Sequence, residues 1–137
     1  MNKEIKYIPG DLCIVKGKVE SVCEVDRDND FSITTDQHPF IRLSEVKPIP
    51  LTPEILEKNG WGQEVNRGIG YSHLVYTKPD IEEYGYFPIY IEKGIGDEFD
   101  VYPFTDNNVC TQIAYIKYVH QLQHLLFGLG INHEMEV

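Results

Sequence analysis

The chain has 137 residues, 42% of them hydrophobic, enough for one ordinary domain with a real core or two very small ones. Acidic side chains number 22 against 12 basic ones, a formal charge of −10, and such a surface repels nucleic acid and anionic membranes at long range. No apolar run approaches the roughly 18 residues of a membrane-spanning helix, and three cysteines without zinc spacing fit a reduced, cytoplasmic protein.

The first half reads as short strands. Asp11 to Val15 ends at Lys16-Gly17-Lys18, a turn signal, and Val19 to Val25 follows, with Val19, Ser21, Cys23 and Val25 expected on one face. Asp26 to Asp30 is a polar turn cluster. It begins like a calcium loop, but Phe31 and Gln37 occupy the places where that loop needs glycine and glutamate. Phe31 to Thr34 and Phe40 to Leu43 are two further strands, and closely spaced strands with tight turns suggest a small barrel. The stretch from Pro9-Gly10-Asp11 to Val25, with Gly17 at its centre, resembles the opening hairpin of SH3-like barrels.

Lys47-Pro48-Ile49-Pro50-Leu51 is an extended connector, because each proline disfavours helix at the residue before it. Thr52 then caps a helix of about two turns that carries Pro53 first, Glu54 in its first turn and Asn59-Gly60 as its stop. Glycines at 60, 62, 68 and 70 predict a turn-rich entry to the second half. Strands are expected at Tyr71 to Lys78, Tyr86 to Lys93 and Glu98 to Phe104. From Thr111 to Phe127 the spacing of Tyr115, Val119, Leu122, Leu126 and Leu129 predicts a long amphipathic helix that ends at Gly128 and Gly130. Ile113, Ile116 and Phe127 on its other side predict that it is sandwiched between two layers.

Few residues carry an enzyme's signature. His120 and His124 stand four apart, a spacing zinc can use, but the residue after the first histidine is Gln121, where a zincin needs its general base. The metal reading therefore needs a third ligand, and two histidines bonded at a packed interface account for the pair without one. Gly68-Ile69-Gly70 and Gly94-Ile95-Gly96 are too sparse for a phosphate loop. The second half holds most of the net charge, −7 over residues 61–137 against −3 over residues 1–60. Its acids and aromatics together offer a binding surface, with Trp61, Tyr84, Tyr86, Glu82, Glu83 and Glu92 as the candidate contact residues. A nucleotide-like ligand on the same half would need a local nest built from Arg67, Lys78 or Lys117.

Two segments in order, Pro48 to Gly60 (PIPLTPEILEKNG) and Tyr118 to Leu126 (YVHQLQHLL), resemble segments of small proteins from gut-bacterial phages and integrated mobile elements. The resemblance implies a cytoplasmic setting near such genes, and it carries no catalytic residue over. The expected architecture is α+β: a small SH3-like barrel over residues 1–50, a linking helix over 51–60, then an antiparallel sheet packed on the C-terminal helix over 61–137. The expected function is a non-enzymatic accessory protein that binds a host or phage protein and needs no cofactor. A small-ligand module and a metal-dependent hydrolase built on His120 and His124 stand as the alternatives.

Overall fold

The computed structural model describes residues 6–26, 32–68, 71–78, 89–93, 96–103 and 114–137. The chain is α+β, with two antiparallel sheets and a C-terminal helix. It divides into two compact units: residues 1–50 with 118–135 and 137, and residues 51–117 with 136.

In the first unit, β1 (Leu12–Val15), β2 (Lys18–Asp26), β3 (Ser32–Thr35) and β4 (Val46–Lys47) form a sheet of order β3-β2-β1-β4. Among the described residues this sheet is open, with β3 and β4 at its edges. The predicted turn is there: Val15 pairs with Lys18 around Lys16 and Gly17, whose φ angles of 50° and 79° match a two-residue hairpin turn. The predicted face of β2 is inverted. Glu20 and Val22 are buried, whereas Val19 is half exposed. A bulge then separates the pairs Val22–Thr35 and Glu24–Thr34, so Cys23 is skipped in the ladder and both Cys23 and Glu24 face solvent. The predicted strand at Phe40 to Leu43 is reduced to one bridge, Ile41 to Ile33, followed by a 3-10 turn over Leu43–Glu45. The core beneath gathers Tyr7, Cys13, Val15, Val22, Ile33, Ile41 and Val46.

The C-terminal helix, α2 (Val119–Gly128), belongs to this first unit and lies on β1; the expectation that it packs on the second sheet is corrected. It also starts later than the periodicity predicts. Residues Ala114–Ile116 form a strand and Tyr118 is the N-cap, where its N–H donates to Gln121 Oε1 at 3.0 Å. The far end closes as a Schellman motif, with Gly130 at φ 72° and the Ile131 N–H donating to the Leu126 carbonyl at 2.9 Å. One broad face is buried, carrying Val119, His120, Leu122, Gln123 and Leu126, while Phe127 is exposed. The helix is thus covered on one face, and the sandwich expectation does not hold.

The second unit opens with α1 (Pro53–Lys58), bounded as the sequence predicts. The Ile55 N–H donates to Thr52 Oγ1 at 3.2 Å, and Gly60 (φ 88°) and Trp61 close the other end through bonds to Glu57 and Leu56. Five strands follow in the order of the chain: β5 (Gly62–Gly68), β6 (Tyr71–Thr77), β7 (Ile89–Lys93), β8 (Phe99–Pro103) and β9 (Ala114–Ile116). The glycine-bounded entry is therefore a full strand, paired with β6 from Gly62–Thr77 to Gly68–Tyr71. Leu51, Leu56, Trp61, Val75, Ile91, Phe99 and Val101 are buried in this unit. No helix among the described residues is long and apolar enough to cross a membrane.

Candidate functional site

The histidines sit in a polar seam where α2 meets the turn before β1. Asp11 is fully buried, and its Oδ2 accepts hydrogen bonds from the Ile8 N–H at 2.8 Å and from His124 Nε2 at 2.6 Å. Next to it on the helix, Gln123 makes three bonds. Its Oε1 accepts from the Leu12 N–H at 2.9 Å, and its Nε2 donates to the carbonyls of Gly10 (3.1 Å) and His133 (3.2 Å). His120 lies against Tyr7, Tyr118 and His124, at ring-centroid distances of 4.8, 5.9 and 5.5 Å. Three buried atoms of this seam, Tyr7 Oη, Asp11 Oδ1 and His120 Nδ1, have no hydrogen-bond partner among the described residues.

Burial holds His120, Tyr7 and the neighbouring Cys13 in their neutral forms. Burial pushes His120 down to about 4, against a smaller upward pull from Asp11 and a further push from His124. Burial raises Tyr7 well above the usual phenol range, and the neighbouring Cys13, Asp11 and Tyr118 add to that. Cys13 is pushed up to about 11 by burial and then by the carboxylates of Glu20, Asp11 and Asp36, so its thiol stays protonated and a poor nucleophile. No group of three His, Cys, Asp or Glu side chains among the described residues is placed to hold a metal ion. The predicted pair is therefore divided in role: His124 ties down a buried carboxylate, and His120 fills space as a neutral ring.

This gives a stability prediction with a definite sign. The folded pKa of His120 lies below the ordinary histidine value of about 6.5, so its share of stability is complete above pH 6.5 and is lost as pH falls toward 4. The loss is about 2–3 kcal/mol. Urea titrations at pH 7, 5.5 and 4.5 measure it. The His120→Phe variant, which keeps a ring in the stack, is expected to show a shallower decline, and an unchanged decline refutes the assignment.

A second buried carboxylate lies in the same unit. Glu20 Oε1 accepts from His38 Nδ1 at 2.8 Å and from Thr35 Oγ1. Burial alone raises this carboxyl, but the hydrogen bonds from His38 and Thr35 and the His38 charge outweigh it and leave it below the usual range. These partners are what allow a glutamate to occupy the inner face of β2.

The outer side of β2 forms an open groove of about 660 Å³ with Pro9, Cys23, Glu24, Val25, Asp26 and Phe40 on its walls. Phe40 is 73% exposed and holds φ at 50°, a left-handed conformation that bulky side chains rarely adopt. Two anchors over-determine it. The Phe40 N–H donates to Thr34 Oγ1 at 3.2 Å, and the adjacent Ile41 exchanges two 2.7 Å backbone bonds with Ile33. Nothing in the sequence flags this residue.

The residues expected to form a binding surface in the second half fare differently. Trp61 is 2% exposed, so it serves the core of the second unit and offers no contact surface. Tyr84, Tyr86, Glu82 and Glu83 lie outside the described residues. Glu92 is half-buried on β7, in register with Asp100 of β8. Of the three residues expected to offer a basic nest, Lys78 follows β6. Arg67 is on β5 and Lys117 follows β9, at opposite edges of the five-stranded sheet and separated by roughly 15–20 Å at ordinary strand spacing. No family model, curated protein or solved structure matches the chain.

Proposed function

We propose that the protein is a non-enzymatic, acidic binding protein of phage or mobile-element origin that works in the cytoplasm by docking a host protein. The observation that supports this most is Phe40. A bulky aromatic held in water on a left-handed backbone costs free energy twice, in exposure and in strain. Strain of that kind collects at ligand clamps and switch regions, and an aromatic presented in a fixed position binds at little entropic cost. The seam around Asp11, by contrast, is committed to holding α2 on β1, with a protonated thiol and neutral rings in place of an activated nucleophile. Within this reading the first unit is an SH3-like fold, which the β1–β2 hairpin supports.

Affinity capture with the tagged full chain from gut-bacterial cells tests the proposal. One host protein is expected to be recovered in near-stoichiometric amount. Recovery with Phe40→Ala is expected to fall several-fold while the melting temperature stays put, because an exposed side chain contributes within about 0.5 kcal/mol to stability. Equal recovery by both forms, or no recovered protein, defeats the reading.

A further inference from the structure

We infer that the groove beside β2 takes an extended segment of a partner polypeptide in which a lysine or arginine stands next to an apolar side chain. The inference rests on the binding reading above and adds the chemistry of what is bound. Shape comes first. The groove is open to solvent, so a small molecule in it would keep much of its surface in water, whereas an extended peptide meets Pro9, the exposed residues of β2 and Phe40 at once.

Charge selects the sign. Glu24 and Asp26 stand exposed on the wall, on a chain whose formal charge is −10, so a cation is drawn in and an anion is repelled. Apolar Pro9, Val25 and Phe40 share the same walls, and the face of Phe40 also suits a guanidinium or ammonium group. The bulge at Cys23 is what brings the first carboxylate here. Without the extra residue, strict alternation along β2 would place Glu24 on the same inner face as Glu20 and Val22.

The mode of contact follows from the edge of β3. The Ile33 N–H and carbonyl are both bonded to Ile41, and the Thr35 N–H donates to the His38 carbonyl. A new strand finds few free backbone groups there, so recognition falls to side chains in the groove.

The test selects random linear dodecapeptides displayed on phage against the immobilised full chain, then measures synthetic winners by fluorescence polarisation. The expected winners carry Lys or Arg within two positions of an aliphatic or aromatic residue. Phe40→Ala is expected to weaken their Kd about tenfold and Glu24→Gln roughly threefold, the latter with a reduced dependence on salt. Cys23, exposed on the groove wall, supplies a footprint: in a Cys110→Ser background, saturating peptide is expected to slow its maleimide labelling, while Cys13 is buried. Should Phe40→Ala fail to fold, Glu24→Gln and the footprint still decide. No enriched peptide, winners without a basic residue, an unprotected Cys23, or a Kd indifferent to Glu24→Gln overturns the inference. If host-protein capture nevertheless depends on Phe40, the general binding reading stands and only this assignment falls; if capture itself fails, the broader reading falls with it.

Discussion

Replacing Gln123 by leucine is expected to destabilise the first unit by about 3–5 kcal/mol. The volume is nearly conserved and the site is 1% exposed, so the loss reports hydrogen bonds with little contribution from packing. Three bonds go at once, and they leave the Leu12 N–H and the carbonyls of Gly10 and His133 without their partner. The stranded groups are only partly buried, so each costs toward the lower end of about 1–3 kcal/mol, offset partly by the transfer of leucine into an apolar setting. Gln121→Ala, two positions earlier, removes the capping bond to the Tyr118 N–H at the partly buried start of the same helix and is expected to cost only about 1 kcal/mol. Chemical denaturation followed by circular dichroism measures both variants, and hydrogen exchange at the Leu12 amide locates the effect. Equal losses for the two variants would show that the seam does not hold α2 to β1.

The contrast between these neighbouring glutamines shows what local sequence can and cannot carry. Gln121 is legible: once Tyr118 is the N-cap, a glutamine three residues on is a capping partner, and the absent zincin glutamate has a positive explanation. The weight borne by Gln123 is invisible, because two of its partners lie more than a hundred residues away and only His133 is near. The same holds for Asp11 and His124. The spacing of His120 and His124 is plain in the sequence, but the carboxylate that gives one of them its role is not.

Elements divide along the same line. The helix α1 and the Lys16-Gly17 turn rest on residues within one turn of themselves, and both were readable at their boundaries. Strand β5 was hidden because Gln63, Glu64, Asn66 and Arg67 lack an apolar alternation; the β6 ladder supplies its backbone bonds regardless. Tyr115 mimicked a helical position by lying four residues before Val119, although a strand and a cap separate the two. Glu20 reversed the face of β2 because its satisfaction depends on Thr35 and His38, which the strand itself does not reveal. At the groove nothing local predicts Phe40. Its conformation is imposed by Thr34 and Ile33 across a turn.

Trp61→Ala is expected to cost about 3–5 kcal/mol, and the loss is expected in the second unit, leaving the first unit's transition where it was. This is the chain's one tryptophan, and it is 2% exposed. Its backbone N–H, which alanine would keep, donates to the Leu56 carbonyl at 3.0 Å in the motif that ends α1, so the ring is held at the helix end, and Leu56 is itself fully buried. Truncation therefore opens a large cavity at the point where helix passes into β5. A surface aromatic used for binding would behave oppositely, losing partner capture at constant stability. The measurement needs two probes, because two compact units need not unfold together. Amide exchange at Val75 and Val101 follows the second unit in both chains, and amide exchange at Leu12 and Val22 follows the first. A Trp61→Ala chain that keeps its melting profile but releases its partner would return Trp61 to the binding surface. A chain that loses the second transition while the Phe40-dependent capture persists would separate the scaffold from the docking site within one polypeptide.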